Sequence, residues 1–297
     1  MMKTRFKIVL MLSFFAFSAC DNNDVPLDEK DDTETPDIPD ENNGDKGLYK
    51  LTKVNIVDKV RAREQVDSYT YNDKGLIERI DMSVVMKEHK WEGMQTFEYD
   101  VKDNLTHWIH KTPYGSKERL ELNYDDDQIK SLILFTYIGG EKLFMKSTYT
   151  PQKIENGQVK EWQVIREEKD SDEKPAGTYE ISIVWKHDDK GRLISSDWDD
   201  EKHIFKASET FKYGTGNFAI QDIIKHNVVK QWFNHRINVN LASFDMIEEK
   251  TSKNSQEETK DRWVYKLSED KKPYTIQRFM GDGSLWWEKT LEVEEVE

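Results

Sequence analysis

Tyr69-Thr70-Tyr71-Asn72-Asp73-Lys74-Gly75-Leu76-Ile77 is the stretch whose reading decides the fold. Aromatics at alternate positions put two large side chains on one face of an extended strand. Asn72 opens a turn by hydrogen bonding to nearby backbone, and Gly75 supplies the positive φ that ends it. Leu76 and Ile77 then start a return run, so the nine residues spell a β-hairpin.

The same frame recurs at Phe97-Glu98-Tyr99-Asp100-Val101-Lys102-Asp103-Asn104-Leu105 and at Trp185-Lys186-His187-Asp188-Asp189-Lys190-Gly191-Arg192-Leu193. Looser copies begin at Leu122 (with Tyr124-Asp125-Asp126-Asp127), Phe211 (with Tyr213-Gly214-Thr215-Gly216) and Tyr265 (with Leu267-Ser268-Glu269-Asp270). The positions just before the turns, Tyr71, Tyr99, Tyr124, His187, Tyr213 and Leu267, are 28, 25, 63, 26 and 54 residues apart. A period near 26 residues accommodates two strands and their turns, which predicts a long antiparallel meander. Between turns the alternation continues at Ile80, Met82, Val84 and Met86, at Leu120, Leu122 and Tyr124, and at Tyr179, Ile181, Ile183 and Trp185, with polar residues interleaved. One face of the sheet is therefore expected to be packed and the other wet. From Phe218 to Phe233 the residues Ile220, Ile223, Ile224, Val228 and Trp232 stand at helical spacing, although the β-branched content also suits strands, and a short helical or irregular insert is expected near 218–233.

The repeated frame resembles the YD repeats of Rhs-type proteins, whose unit runs Tyr-x-Tyr-Asp-x-x-Gly-Arg-Leu. The fit is best at Trp185 to Leu193, which keeps Asp188, Gly191, Arg192 and Leu193 but carries Trp and His for the tyrosines. The chain also resembles Bacteroidetes lipoproteins that carry such hairpins, some with a porin-like, strongly curved sheet. This resemblance covers most of residues 48 to 290 and implies a fold but no reaction.

The amino-terminal end gives an address. Lys3, Arg5 and Lys7 precede an apolar stretch from Ile8 to Ala19, and Ser18 and Ala19 stand directly before Cys20, the single cysteine. Twelve such residues are too few to span a bilayer and suit a secretion signal. The arrangement resembles the lipobox of bacterial lipoproteins, with Phe17 where Leu is usual, and the resemblance implies lipid attachment at Cys20. With one cysteine there is no intrachain disulfide, so stability rests on the core and the sheet ladder. From Asp21 to Lys46 eleven acidic and two basic residues accompany Pro26, Pro36 and Pro39. Such a segment cannot bury enough apolar surface to offset its ordering entropy, so it reads as a tether spanning roughly 28 Å. Acidic residues behind a lipidated cysteine resemble the signal that sends Bacteroidetes lipoproteins to the cell surface, although a solvated spacer would look the same. The expected organisation is a signal peptide at 1–19, lipidated cysteine and tether at 20–46, and a single β-repeat domain at 47–297.

Charge narrows the partners. The whole chain carries a formal net charge of −14, and residues 47–297 alone carry −8. A net-negative body without a basic stripe is a poor match for nucleic acid, whose binding rests on Lys and Arg neutralising phosphates. A membrane-spanning barrel is also disfavoured, because only 36% of residues are hydrophobic and a lipid-facing band needs apolar residues all round.

Chemistry-bearing motifs are scarce. His107 and His110 lie three apart in a predicted strand, which sends them to opposite faces. There is no His-Glu-x-x-His, no phosphate loop and no Gly-x-Ser-x-Gly elbow, so no metal, cofactor or catalytic residue is assigned. The acidic groups Asp125-Asp126-Asp127, Asp170-Ser171-Asp172, Asp188-Asp189 and Asp197-Trp198-Asp199-Asp200 could offer oxygens to calcium, but polar turns account for all four better. The abundant aromatics mostly serve the packed face. Trp286, Trp287 and Trp198 are the candidate ligand-facing aromatics, since one of the adjacent pair Trp286-Trp287 must point to the less buried side of a strand.

The expected architecture is all-β, a long antiparallel meander of repeated β-hairpins forming one strongly curved open sheet or barrel-like half-pipe. The expected role is a non-enzymatic, lipid-anchored, extracytoplasmic binding or scaffold protein of the outer membrane, facing periplasm or cell surface, with a glycan or protein partner. The alternative is an envelope enzyme acting on polysaccharide or peptide.

Overall fold

The computed structural model describes residues 49–295 except 113, 127, 140, 201–205, 218–226, 237–244, 255–256 and 268–272. The signal, Cys20 and the tether lie outside the described residues. Sixteen strands follow one another: β1 (Tyr49–Asp58), β2 (Arg63–Tyr71), β3 (Ile77–Met86), β4 (His89–Tyr99), β5 (Leu105–Lys111), β6 (Lys117–Asp125), β7 (Gln128–Ile138), β8 (Lys142–Glu155), β9 (Gln158–Lys169), β10 (Pro175–His187), β11 (Leu193–Asp200), β12 (Lys206–Asn217), β13 (Asp245–Asn254), β14 (Glu258–Leu267), β15 (Pro273–Phe279) and β16 (Leu285–Glu295). One helix, α1 (Asn227–Arg236), stands between β12 and β13. Each strand pairs antiparallel with its neighbours in sequence, and β1 pairs with β16, so the meander closes into a barrel. The closing register sets Val54 opposite Leu291, Ile56 opposite Lys289 and Asp58 opposite Trp287. Closure removes both free edges of the sheet.

Alternation sets the two faces. On β10, Ile181, Ile183 and Trp185 are buried while Glu180, Ser182, Val184 and Lys186 between them are exposed. On β3, Ile80, Met82 and Val84 are buried, with Asp81 and Val85 exposed. Inward rings and aliphatics such as Trp108, Leu120, Leu132, Trp162 and Val164 are at most 1% exposed. Porins of this strand number leave an aqueous lumen, whereas here the inward side chains at these positions are buried. Each fully buried Leu, Ile or Phe contributes about 1.5–3 kcal/mol.

The outward face is charged around the wall. Ion pairs cross from strand to strand at Lys53–Glu292, Lys146–Glu167, Lys206–Asp199 and Lys212–Glu249–Lys260. Others run along single strands at Arg79–Asp81, Lys90–Glu92 and Arg119–Glu121. Exposed pairs add little stability, but they set the polarity of the wall.

The frame that begins at Tyr69 becomes a five-residue reversal with fixed wiring. In 72–76, the Asn72 N–H donates to Leu76 O, Gly75 N–H donates to Asn72 O, and Asn72 Oδ1 accepts from the amides of Lys74 and Leu76. The same bonds recur in 100–104, 170–174 and 188–192, with Asp100, Asp170 and Asp188 in the place of Asn72. The fourth residue sits at positive φ: 76° at Gly75 and 80° at Gly191, but 66° at Asp103 and 63° at Glu173, where a side chain tolerates some strain.

The aromatic before the turn has a second task. Tyr71, Tyr99, Tyr124, Tyr213 and Tyr265 donate their hydroxyls to the carbonyls of Leu51, Ile77, Leu105, Leu193 and Ile247, at 2.6–2.8 Å. Each bond runs from the end of an even-numbered strand to the start of the odd-numbered strand beside it, pinning the open end of a hairpin. Burial pushes the phenols of Tyr71, Tyr99, Tyr124 and Tyr265 up, so they remain protonated donors.

Two expectations need correction. The copy at Phe211 is not a tight hairpin: β12 runs through Tyr213, Gly214, Thr215 and Gly216 to Asn217, with irregular pairing to β13 on either side of Tyr213. A Cβ at Gly214 would meet the carboxylate of Glu248, an exposed and flexible end that can move aside. The helical insert expected near 218–233 is α1 at Asn227–Arg236. Val228 and Trp232 belong to it, whereas Ile220, Ile223 and Ile224 lie outside the described residues.

Candidate functional site

Two features of the barrel interior carry polar chemistry. The first is the seat of α1. Val229, Trp232 and Phe233 recur at helical spacing and are all but unexposed. Phe233 meets Trp108 of β5 edge-on at 5.4 Å, and Trp232 meets Tyr149 of β8 edge-on at 5.7 Å. Because those rings belong to the inward faces of their strands, the helix fills part of the lumen. Gln231 adds a polar tie, its Oε1 3.0 Å from His187 Nε2 and its Nε2 donating to Gly191 O at 2.7 Å. His187 occupies the place held by the pinning tyrosine in other copies, and so the departure from the repeat coincides with the helix seat.

The second feature lies where β14–β16 meet β1 and β2. The inward frame Trp287-x-Lys289-x-Leu291 carries a lysine between apolar residues, and Asp67 precedes Tyr69 and Tyr71 in the same frame of β2. Arg278 of β15 pairs with Asp261 of β14 at 2.6 Å, its guanidinium lying over Trp263 at 5.0 Å and over Trp286 at 4.1 Å. Lys289 Nζ lies 4.3 Å over the Trp287 ring. Asp58, 2% exposed, takes the Arg61 amide at 2.9 Å and faces Arg61 and Arg63 at 3.8 and 3.7 Å. Burial pushes the Lys289 ammonium down to about 7; Asp67 opposes this, while Arg278 and Arg63 add repulsion. Burial raises the Asp67 carboxyl, against a hydrogen bond from Gln65 and the fields of Lys289, His110 and Arg63. Four cations, Arg61, Arg63, Arg278 and Lys289, thus meet three carboxylates, Asp58, Asp67 and Asp261, among tryptophans, an arrangement that offers stacking faces and hydrogen bonds rather than a nucleophile with its base.

Of the three candidate aromatics, Trp286 and Trp287 belong to this cluster. Trp286 is half-buried under Arg278, with Arg61 5.9 Å from its ring, and Trp287 is buried. Trp198 is buried on β11, its indole N–H donating to Ser196 Oγ at 2.8 Å, well away from the other two along the wall. Cys20 lies outside the described residues. Sequence reasoning did not single out Asp58, Asp67, Asp261, Arg278 or Lys289. Its available signal was a charged residue in the inward register of an otherwise apolar strand.

Two of the four acidic groups are five-residue reversals: Asp170 and Asp188 each spend one carboxylate oxygen on two backbone amides. Burial works against ionisation of Asp188, yet the Arg192 amide and guanidinium hold it below the usual carboxylate range. The group at Asp197 to Asp200 is not a turn but part of β11, with its residues alternating between the two faces. Among the described residues no three His, Cys, Asp or Glu side chains gather as a metal site. His107 and His110 face glutamates, Glu98 at 3.5 Å and Glu118 at 3.4 Å.

No family model matches the chain, and no curated protein matches it. Among solved structures it is similar to a porin-like protein from Bacteroides vulgatus, with a TM-score of 0.54 and 11% identity over 83% of this chain and 99% of that one. A porin-like protein from Bacteroides uniformis gives 13% identity and a TM-score of 0.44 over 82% and 96%. At such identity the first likeness establishes the barrel fold.

Proposed function

We propose that the chain is a non-enzymatic, lipid-anchored, extracytoplasmic barrel of the outer membrane that acts as a binding or scaffold protein for a glycan or protein partner. The observation that carries this reading is the polarity of the wall, packed and mostly apolar inside apart from one charged cluster, and lined with ion pairs outside. A spanning barrel needs an outward apolar band about 25 Å tall all round, whereas here the ion pairs Lys53–Glu292, Lys146–Glu167 and Lys212–Glu249 stand on the wall. The packed interior around α1 speaks against an aqueous pore. Attachment therefore falls to the lipobox-like Cys20 and the acidic tether, and the recurrent reversals support kinship with YD-type hairpin lipoproteins.

Fractionation of cells expressing the full chain tests the anchor. The native protein should partition with outer membranes, and Cys20→Ala should release it to a soluble fraction without detergent. A Cys20→Ala protein that still needs detergent would mean that the wall itself meets lipid.

A further inference from the structure

We infer that one rim of the barrel, formed by the reversals β1–β2, β3–β4 and β5–β6, is a binding surface for an anionic glycan. This deepens the binding reading above by naming the partner chemistry. In an antiparallel meander alternate reversals share a rim, so these three stand side by side, about 10 Å apart at two strand spacings each. Residues 58–63, 86–90 and 111–117 together hold seven basic and two acidic residues. Including the next strand residues Glu64, Glu92, Glu118 and Arg119 still leaves a surplus of three positive charges. Elsewhere on the same rim, residues 138–142, 169–174 and 280–284 carry net charges of 0, −1 and −1, and the whole of residues 47–297 carries −8. A local basic surplus on an acidic body concentrates anions at that place.

Aromatic faces stand among these charges. Tyr114 is 53% exposed and packs on half-buried Trp91, ring centroids 5.4 Å apart, and exposed His89 lies 5.6 Å from the same indole. At the adjoining corner Lys59 N–H donates to Trp286 O at 2.8 Å, with Arg61 beside the Trp286 ring. Flat apolar rings with polar edges suit the C–H faces of sugars, and the cations suit carboxylate, sulfate or phosphate substituents. A bilayer surface fits less well. The chain enters β1 at Tyr49, on the opposite rim, so an anchor upstream joins the barrel at the end away from the basic rim.

The test uses the full mature chain in mild detergent, with dextran sulfate, uncharged dextran and inorganic polyphosphate as probes, and its Cys20→Ala form without detergent for phosphatidylglycerol vesicles. Dextran sulfate should bind, weaken as salt rises from about 50 to 200 mM, and exceed dextran by about tenfold or more. The triple variant Lys59→Gln, Lys90→Gln, Lys111→Gln should lose about tenfold for dextran sulfate at an unchanged melting temperature. Tyr114→Ala should weaken dextran sulfate several-fold and leave polyphosphate untouched. Equal binding of polyphosphate with no effect of Tyr114→Ala, or binding only to phosphatidylglycerol vesicles, or no binding of any probe, would overturn the inference. None of these results bears on release by Cys20→Ala, so the two readings fail separately.

Discussion

His187 and Gln231 meet across 3.0 Å, His187 Nε2 to the amide oxygen of Gln231, and this contact ties strand β10 to the helix in the lumen. The direction follows from the other ring nitrogen. Lys160 Nζ lies 3.2 Å from His187 Nδ1 and has only protons to give, so Nδ1 accepts and Nε2 donates. The imidazole must be neutral to do both.

Acid should therefore loosen the helix seat. Burial lowers the His187 pKa, the Gln231 bond opposes this, Lys160 lowers it further and Asp188 opposes. A depressed histidine contributes stability that is full above the unfolded value of about 6.5 and is lost as pH falls through the folded pKa. Stability of the native chain should fall below pH about 6.5 more steeply than that of His187→Gln, as read from urea midpoints along a pH series. Parallel slopes would remove His187 from the account.

Truncating the wedge should cost more. Trp232→Ala and Phe233→Ala each empty a fully buried aromatic site against Tyr149 or Trp108, and each should destabilise by about 3–5 kcal/mol in equilibrium denaturation. Losses under about 1 kcal/mol would mean that the helix is not a packed part of the core.

Lys289 makes a prediction of the same sign on the alkaline side. Its folded pKa is lowered to about 7, so stability should rise with pH from about 7 towards the unfolded value near 10.4. Lys289→Met should be neutral or stabilising at pH 7 and should abolish that rise, because an apolar chain of similar length replaces a desolvated cation. A Lys289→Met variant that keeps the alkaline rise would assign it to another group.

The tyrosine pins should act locally. Tyr99→Phe removes the hydroxyl that reaches Ile77 O at 2.8 Å and should cost about 1 kcal/mol, with faster amide exchange at the β3–β4 end than elsewhere. Uniform exchange changes would mean that the bond does not hold that hairpin end.

Much of this architecture was legible in the chain because its determinants are local. Alternation at Ile181, Ile183 and Trp185 reports a face, and Asp188 with Gly191 reports a turn, each within a few residues. Closure was not legible, since it depends on β1 finding β16 in register, as where Asn55 meets Glu292. Nor was the charged interior, because a lysine in the frame of Trp287 and Leu291 declares itself only when the strand's inward side is known. Tyr213-Gly214-Thr215-Gly216 misled for a related reason. Glycine that ends a hairpin and glycine that lies within a strand are the same letter.

The seam between Tyr49–Asp58 and Leu285–Glu295 joins the first strand of the barrel to its last. Synthesised amino end first, β1 waits through some 230 further residues before its partner emerges. Until then every partly emerged chain carries two unsatisfied strand edges and a half-covered aromatic sheet, both prone to aggregation. A nascent barrel of this kind would need a holding chaperone until β16 is made, and loss of the eleven residues of β16 would leave that hazard permanent.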